Sequence, residues 1–154
     1  STQLILDTSS EPLRSALETG RFHVVKPNRR ELEQIYDISA EHPGDYIPCM
    51  ENLVESGTVD NVIVTVGAEG ALLVSRHGDR LQLRPPPVKG KSPVGAGDSF
   101  VALFTHALSE KHPLPEAVAY GVAGAAAAVE TSDAELYRVD DIESFYARIE
   151  TIRF

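Results

Sequence analysis

The segment "NVIVTV" (residues 61–66) constrains the fold more than any other part of the chain. Its residues are mostly β-branched and apolar at successive positions, so a strand built from them would be buried on both faces. Strands of this kind are typical of the centre of a parallel sheet that helices cover on each side. The segment therefore predicts an α/β domain with this strand at the centre of its sheet.

The rest of the chain alternates short apolar runs with helical patterns. The runs "LILDTS" (4–9) and "FHVVK" (22–26) are predicted strands, and "ALLVS" and "RLQLR" around "RHGD" predict a hairpin. We expect helices after a Ser10 cap, from Asn28 and over 47–56, 99–108, 115–130 and 140–149, with a loop over 38–46. The Ala- and Gly-rich helix 115–130 permits close helix packing. This order indicates a layered α/β domain with a partly parallel sheet.

Composition limits the classes of function. The net charge of −9 argues against sequence-independent binding of nucleic acid, which needs a basic face. Cys49 is the only cysteine, which favours a reducing, cytoplasmic compartment. The longest uncharged apolar stretch, 117–129, is too short to cross a bilayer, so no membrane association is expected. The chain opens on "STQLILDTSS" without a methionine, and we expect it to be a piece of a longer protein.

A glycine turn with an acid, Gly95-Ala96-Gly97-Asp98, directly precedes the predicted helix 99–108. Glycines let backbone N–H groups converge, and a helix N-terminus adds partial positive charge, so the turn suits a phosphoryl group. Asp98 would then accept a proton from an attacking hydroxyl. The alternative is a capping aspartate after an ordinary turn, and the residues alone favour it because such caps are common.

The segment "VVKPNRRELE" (24–33) offers a second candidate site. Asn28 and Glu31 have the spacing of a capping box, which is a sufficient structural explanation. In the functional interpretation, Lys26 at the strand end faces phosphates, and Glu31 holds water around Mg²⁺, an ion that needs few protein carboxylates.

The third candidate is the loop after the central strand, in "VTVGAEGALLV" (64–74). Ligands of open α/β sheets bind at the carboxyl ends of the strands. Thr65, Gly67 and Gly70 would let the backbone approach a nucleotide there. A tight turn into the next strand explains the glycines equally well, and the residues leave both interpretations open.

Together, "KPNRRE", "VTVGAEGALLV" and "VGAGDSF" occur in one order that resembles the ribokinase-like (PfkB) family of carbohydrate kinases. The likeness runs from residue 4 to about the last predicted helix, and "PPPVKGKSPVGAGDSFVA" is most similar to the phosphofructokinase branch. The resemblance implies a three-layer α/β/α sandwich. This chain would be its carboxyl-terminal, ATP-binding half (1–154), without the amino-terminal sugar-binding and lid portion.

The resemblance also implies a role for each candidate residue. Asp98 matches the catalytic base, and the Gly95, Ala96 and Gly97 backbone matches the anion hole for the transferred phosphoryl group. Asn28 and Glu31 match the pair that organises Mg²⁺ and phosphate. Lys26, Thr65, Gly67 and Gly70 match nucleotide contacts. The "ETSDAE" segment (130–135) departs from the family's pattern, so the resemblance gives no support for a monovalent cation there.

The activity so implied is in-line transfer from MgATP to a hydroxyl of a sugar phosphate of the fructose 6-phosphate or fructose 1-phosphate type. The full-length protein would be a homodimer, and this piece alone a weak kinase or an inactive one, because the sugar pocket is missing. The alternative is a truncated, non-enzymatic module that binds a nucleotide or another anion.

Overall fold

A computed structural model describes residues 3–7, 10–90, 92–131 and 138–154. The strands are β1 (Ile5–Leu6), β2 (Phe22–Val25), β3 (Val59–Thr65), β4 (Ala71–Ser75), β5 (Arg80–Arg84) and β6 (Glu150–Arg153). The α-helices are α1 (Ser10–Thr19), α2 (Arg29–Tyr36), α3 (Ile47–Glu55), α4 (Ala96–Ser109), α5 (Leu114–Glu130) and α6 (Val139–Tyr146). Short 3₁₀ helices cover Pro43–Tyr46 and Gly67–Glu69. No helix in this part of the chain is both long enough and apolar enough to span a bilayer.

The strands form one six-stranded sheet in the order β1-β2-β3-β4-β5-β6. The β1–β2 and β2–β3 pairs are parallel, and β3–β4 is antiparallel with Thr65 opposite Ala71. β3 is therefore central and buried, as predicted, but it is parallel to only one of its neighbours. The short loop at 66–70 returns the chain directly alongside β3, and a loop this short permits only antiparallel pairing. The predicted partly parallel sheet is therefore confirmed.

The chain divides into two compact units. The first comprises Ser1–Gly67, Ala71–Gln82 and Arg153–Phe154, and the second comprises Ala68–Gly70 and Leu83–Ile152. In the first unit, apolar residues from α1, α2 and α3 pack on one face of β2, β3 and β4. The fully buried members of this core include Leu13, Val25, Leu32, Met50, Val62, Val64 and Leu72. Their removal from water drives the assembly of this unit.

In the second unit, α4 and α5 approach closely. A Cβ atom on Gly121 would lie 2.8 Å from the Phe100 ring, and one on Gly124 would lie 2.9 Å from Leu103. Phe100 is buried and stacks on Phe104 with ring centroids 5.9 Å apart. The predicted role of the small residues in close helix packing is therefore confirmed.

Some predicted boundaries are wrong. Helix α4 begins at Ala96 rather than at 99, and the expected loop over 38–46 contains the 3₁₀ helix Pro43–Tyr46. The predicted helix over 140–149 ends at Tyr146, and the strand β6 that follows was not predicted. Helix α1 begins at Ser10. The predicted Ser10 cap lies outside what the structure describes.

Candidate active site

The Gly95–Asp98 segment forms the start of α4. Gly95 is the N-cap residue with φ +82°, a left-handed conformation that glycine adopts without a steric penalty. Asp98 consequently occupies the third helical position, and no side chain caps the helix. The capping interpretation of Asp98 is therefore wrong. Its carboxylate instead lies in the first turn, where the helix dipole favours negative charge.

The backbone amides of this turn are only partly used within the protein. The Ala96 N–H donates to the Pro93 carbonyl at 3.2 Å, and the Ser99 N–H donates to the Gly95 carbonyl at 2.9 Å. The Gly97 and Asp98 amides lie between these two, in the first turn, where a helix offers no carbonyl partner of its own. Among the predicted anion-hole residues, the Ala96 amide is thus already hydrogen-bonded within the turn.

The start of α4 is also open to solvent. Gly95, Gly97 and Asp98 are exposed, and no atom lies within 4 Å of a Cβ built on either glycine. Ser99 and Phe100, immediately after them, are buried and fix the helix in the second unit. The arrangement therefore presents two amides and one carboxylate at an accessible, anchored helix terminus.

Lys26 lies at the end of β2 in the first unit. It is only 6% exposed, and its Nζ lies 3.2 Å from Oδ1 of Asp7. Asp7 follows the parallel strand β1, so both residues stand at the carboxyl ends of neighbouring strands. Asp7 is not among the site residues that the sequence motifs predict, although an acid directly after a buried strand is a usable signal.

The predicted capping box at the start of α2 is confirmed. The Asn28 N–H donates to Oε2 of Glu31 at 2.8 Å, and the Glu31 N–H donates to Oδ1 of Asn28 at 3.0 Å. The box engages one carboxylate oxygen of Glu31. A structural role for this pair is therefore present, and it is compatible with a role in holding a hydrated ion through the second oxygen.

Helix α2 is also fixed at a second point. The Tyr46 hydroxyl donates to Oε1 of Glu33 at 2.6 Å. Burial, followed by this hydrogen bond, raises the pKa of Tyr46 to about 12. The bond ties α2 to the segment before α3, so the position of Asn28 and Glu31 does not depend on the cap alone.

The described residues contain no group of three or more His, Cys, Asp or Glu side chains placed to hold a metal ion. Mg²⁺ keeps several waters and is commonly held by one or two carboxylates together with substrate phosphates. The single acid Glu31 therefore fits an ion of this kind, and it does not fit a metal that needs a full set of protein ligands.

The loop after β3 separates its glycines into two kinds. Thr65 ends β3, its N–H donates to the Pro27 carbonyl at 3.3 Å, and it forms a parallel bridge with Asn28. Gly67 is exposed, with φ +62° and open space around it. Gly70 is buried, with φ +87°, and a Cβ there would lie 1.9 Å from the Leu83 carbonyl oxygen. Packing and positive φ both require glycine at Gly70, whereas at Gly67 only the positive φ favours it and the space beside it is open.

Within the first unit, the structure thus brings Lys26, Asn28 and Thr65 to the carboxyl ends of β2 and β3, where open α/β sheets bind ligands. Within the second unit, it gathers Gly95–Asp98 at one helix terminus. Residues 132–137, most of the "ETSDAE" segment, lie outside the described residues.

A comparison with protein families matches residues 2–138 to the model described as pfkB family carbohydrate kinase. The chain belongs to this family. Among curated members, it is 39% identical to ATP-dependent 6-phosphofructokinase isozyme 2 of Escherichia coli K12, over 93% of this chain and 46% of that protein. It is 35% identical to 1-phosphofructokinase of Borreliella burgdorferi, over 81% of this chain and 40% of that protein.

Solved structures of similar proteins agree with this family assignment. Phosphofructokinase-2 from Escherichia coli in complex with potassium matches with a TM-score of 0.85 at 39% identity, over 94% of this chain and 47% of that one. A putative phosphofructokinase from Staphylococcus aureus matches with a TM-score of 0.87 at 26% identity, over 99% and 48%. The predicted fold class, a partial ribokinase-like α/β fold, is confirmed. This pfkB-family chain spans about half the length of the relatives it matches.

Proposed function

We propose that this chain is the carboxyl-terminal, nucleotide-binding and catalytic portion of a phosphosugar kinase. The reaction is transfer of the terminal phosphoryl group of ATP to a hydroxyl of a sugar phosphate. ATP supplies the phosphoryl group, and a bound Mg²⁺ ion neutralises part of its charge. The chain's own residues bind and orient the substrates and exchange a proton with the acceptor hydroxyl.

The observation that carries the proposal is the open start of α4. Exposed amides at Gly97 and Asp98, without a Cβ on Gly95 or Gly97 to obstruct them, are suited to a phosphoryl group whose charge spreads over its oxygens. The helix dipole adds to this attraction. The site therefore attracts an anion locally although the chain carries a net charge of −9.

The adjacent Asp98 carboxylate is the proposed general base. It is exposed at the same turn, so an acceptor hydroxyl can reach it, and a carboxylate oxygen accepts the proton as the new O–P bond forms. Among the described residues, no capping hydrogen bond at the start of α4 engages it. A proton acceptor at the anion site is the minimum requirement for transfer to an alcohol.

The first unit supplies the proposed nucleotide and ion contacts. Lys26, held by Asp7, places its charge at the end of β2, and the second Glu31 oxygen, which is outside the capping box, orients water around the ion. The exposed backbone at Gly67 and the Thr65 side chain are the remaining proposed nucleotide contacts. Gly70 belongs to this set through the resemblance, and its buried position gives it a structural role as well.

The proposed acceptor is fructose 6-phosphate or fructose 1-phosphate, from the names of the most similar curated relatives. An Escherichia coli phosphofructokinase-2 structure contains fructose 6-phosphate, and another is of a tetrameric inhibited form. We propose that the polypeptide that contains this sequence also self-associates and that its basic assembly is a homodimer.

The test is Asp98→Asn in the longest polypeptide that carries this sequence, assayed for sugar-phosphate-dependent release of ADP. Loss of the base should lower kcat by about a hundredfold or more, with little change in ATP affinity. Asp140→Asn is the matched control, because Asp140 is also an exposed acid in the first turn of a helix in the second unit.

Turnover within about twofold of the unsubstituted protein in Asp98→Asn would remove Asp98 as the base. ATP binding without any phosphoryl transfer, in the same polypeptide and with either fructose phosphate, would favour the non-enzymatic nucleotide-binding module instead.

A further inference from the structure

The second unit contains a cleft of about 210 Å³ that includes none of the predicted site residues. Its walls are mainly apolar and come from Leu83, Pro115, Ala119 and Ile149. Clefts that bind drug-sized molecules measure roughly 300–1,000 Å³, so this one suits a smaller ligand.

One wall of the cleft is aromatic. Tyr146 lines it and stacks on Tyr120, with ring centroids 4.1 Å apart and planes inclined by 17°. The His112 ring in turn meets the edge of Tyr120, with centroids 5.2 Å apart. Tyr146 therefore contributes to the cleft an aromatic ring that is packed against Tyr120.

The cleft is also lined by one neutral polar residue, Thr151, and by one acid. Glu116 lines it, and its Oε2 lies 3.1 Å from Nδ1 of His112, which leaves Oε1 for another partner. Burial raises the pKa of Tyr120 and of Tyr146, and the charges of Glu116 and Glu143 raise both further. These two carboxylates therefore lie near enough to the aromatic wall to act on both tyrosines.

No lysine or arginine lines the cleft among the described residues. Arg148, on the turn that follows α6, is held elsewhere: its guanidinium lies 5.1 Å from the Phe145 ring centroid, and its Nε donates to the Ser144 carbonyl at 3.1 Å. A carboxylate and an aromatic face are therefore not offset by a basic side chain lining the cleft.

We propose that this cleft binds a small organic cation that has an apolar body and an ammonium group. The apolar walls would cover the body, the Tyr146 ring would attract the charge through its π face, and Glu116 would pair with the ammonium group. An anion would be repelled by the Glu116 carboxylate, and a neutral apolar ligand would leave Glu116 unused. The site is independent of the proposed kinase function, because it shares no residue with it.

The experiment titrates the isotope-labelled chain with phenethylammonium and, as a neutral analogue of similar shape, with 2-phenylethanol. We expect saturable shifts of the Ala119, Tyr146 and Ile149 resonances with the cation, and about tenfold weaker binding of the alcohol. Glu116→Gln and Tyr146→Leu should each weaken cation binding by about fivefold or more.

Two further variants make the result specific. Tyr146→Phe keeps the aromatic face and should retain most of the affinity, which separates loss of the ring from loss of folding. Glu110→Gln removes an exposed acid at the end of α4 that does not line the cleft, and it should bind like the unsubstituted chain.

Equal affinity for the cation and the alcohol, unchanged affinity in Glu116→Gln, or absence of saturable binding would each overturn the proposal. Sedimentation velocity tests whether a second copy of the chain, rather than a free cation, occupies the cleft. If the chain dimerises and Glu116→Gln abolishes the dimer, a basic side chain of a second copy occupies the cleft, and the free-cation proposal is wrong.

Discussion

The two glycines of the loop after β3 differ in what an added methyl group would meet, although the sequence presents them alike. Gly70 needs its missing side chain because the Leu83 carbonyl occupies that space, whereas Gly67 faces open space. Both have positive φ. The two turn glycines therefore differ in cause: packing requires glycine at Gly70, and the left-handed backbone alone favours it at Gly67.

Substitution by alanine should separate the two positions. Gly70→Ala combines backbone strain with a clash against main chain, and we expect it to lower the free energy of unfolding by about 3 kcal/mol or more. Gly67→Ala has only the strain, about 1 kcal/mol. Urea denaturation of both variants measures this. Equal losses at the two positions would contradict the packing account of Gly70.

Asp60 illustrates how the surface of the first unit is stabilised by charge. Its Oδ1 lies 2.9 Å from Nη1 of Arg76 and 3.4 Å from Nη2 of Arg21, and its Oδ2 lies 3.6 Å from Nδ1 of His23. Burial raises the pKa of Asp60, but the contacts with Arg21, Arg76 and His23 together outweigh it, so the pKa is lowered.

A lowered pKa in the folded state means that the stabilisation exists above the ordinary aspartate pKa of about 3.9 and is lost as the pH falls below it. Asp60→Asn should therefore reduce the free energy of unfolding at neutral pH by about 1 kcal/mol, with the difference shrinking below about pH 4. Glu18→Gln, at an exposed position on α1, is the control. A deficit that persists unchanged at acid pH would refute the electrostatic origin.

At the scale of elements, the start of α2 tests how much of its stability is local. Asn28→Ala removes the side-chain acceptor for the Glu31 N–H and should cost about 1 kcal/mol, as loss of a good cap does. Asn28→Asp keeps an equivalent acceptor and should stay within a few tenths of the unsubstituted chain. Thermal denaturation distinguishes them, and equal destabilisation by both variants would show that the cap is not the cause.

A Gly-to-Ala substitution usually stabilises a helix, but the close packing of α4 on α5 is expected to reverse this effect at Gly121. Gly121→Ala gains helix propensity of up to about 1 kcal/mol, but the new methyl group meets the buried Phe100 ring and should cost about 1–3 kcal/mol. A net destabilisation is expected. Gly97→Ala in α4 meets nothing within 4 Å and serves as the matched control. A stability gain in Gly121→Ala would contradict the close approach of the helices.

The elements that the sequence predicted well have local causes. β3 is apolar at successive positions, and the Asn28–Glu31 spacing alone identifies the cap of α2. The sequence predicts the start of α4 three residues too late because glycine has low helix propensity. In the structure, the first turn forms with Gly95 in the left-handed region. β6 has only four residues, and its strand conformation depends on pairing at the sheet edge, which a local pattern does not contain.

The candidate site was predictable to the extent that its residues belong to short motifs. Asp7 belongs to none of them, and its relation to Lys26 arises only because β1 and β2 pair in parallel. The position of Asp98 inside the helix rather than at its cap also required the structure. Both depend on how the backbone is arranged in space, which the spacing of residues along the chain does not specify.

At the scale of the whole molecule, the chain combines a net charge of −9 with a proposed site for a polyanion. The two are compatible because backbone amides and a helix dipole, rather than a basic surface, provide the attraction at Gly97 and Asp98. The family match and the similarity to phosphofructokinases cover nearly this entire chain but about half of each relative. Phosphosugar kinase activity is therefore a proposal, and the residues of this chain specify which groups would carry it out.

The proposed phosphate site at the start of α4 can be tested on its backbone amides directly. In the ¹⁵N-labelled chain, addition of MgATP should shift the amide resonances of Gly97 and Asp98 in a saturable manner, while adenosine, which lacks phosphates, should leave them in place. If MgATP binds and these two resonances do not move, or if adenosine shifts them equally, the start of α4 does not hold the phosphate and the proposed site is wrong.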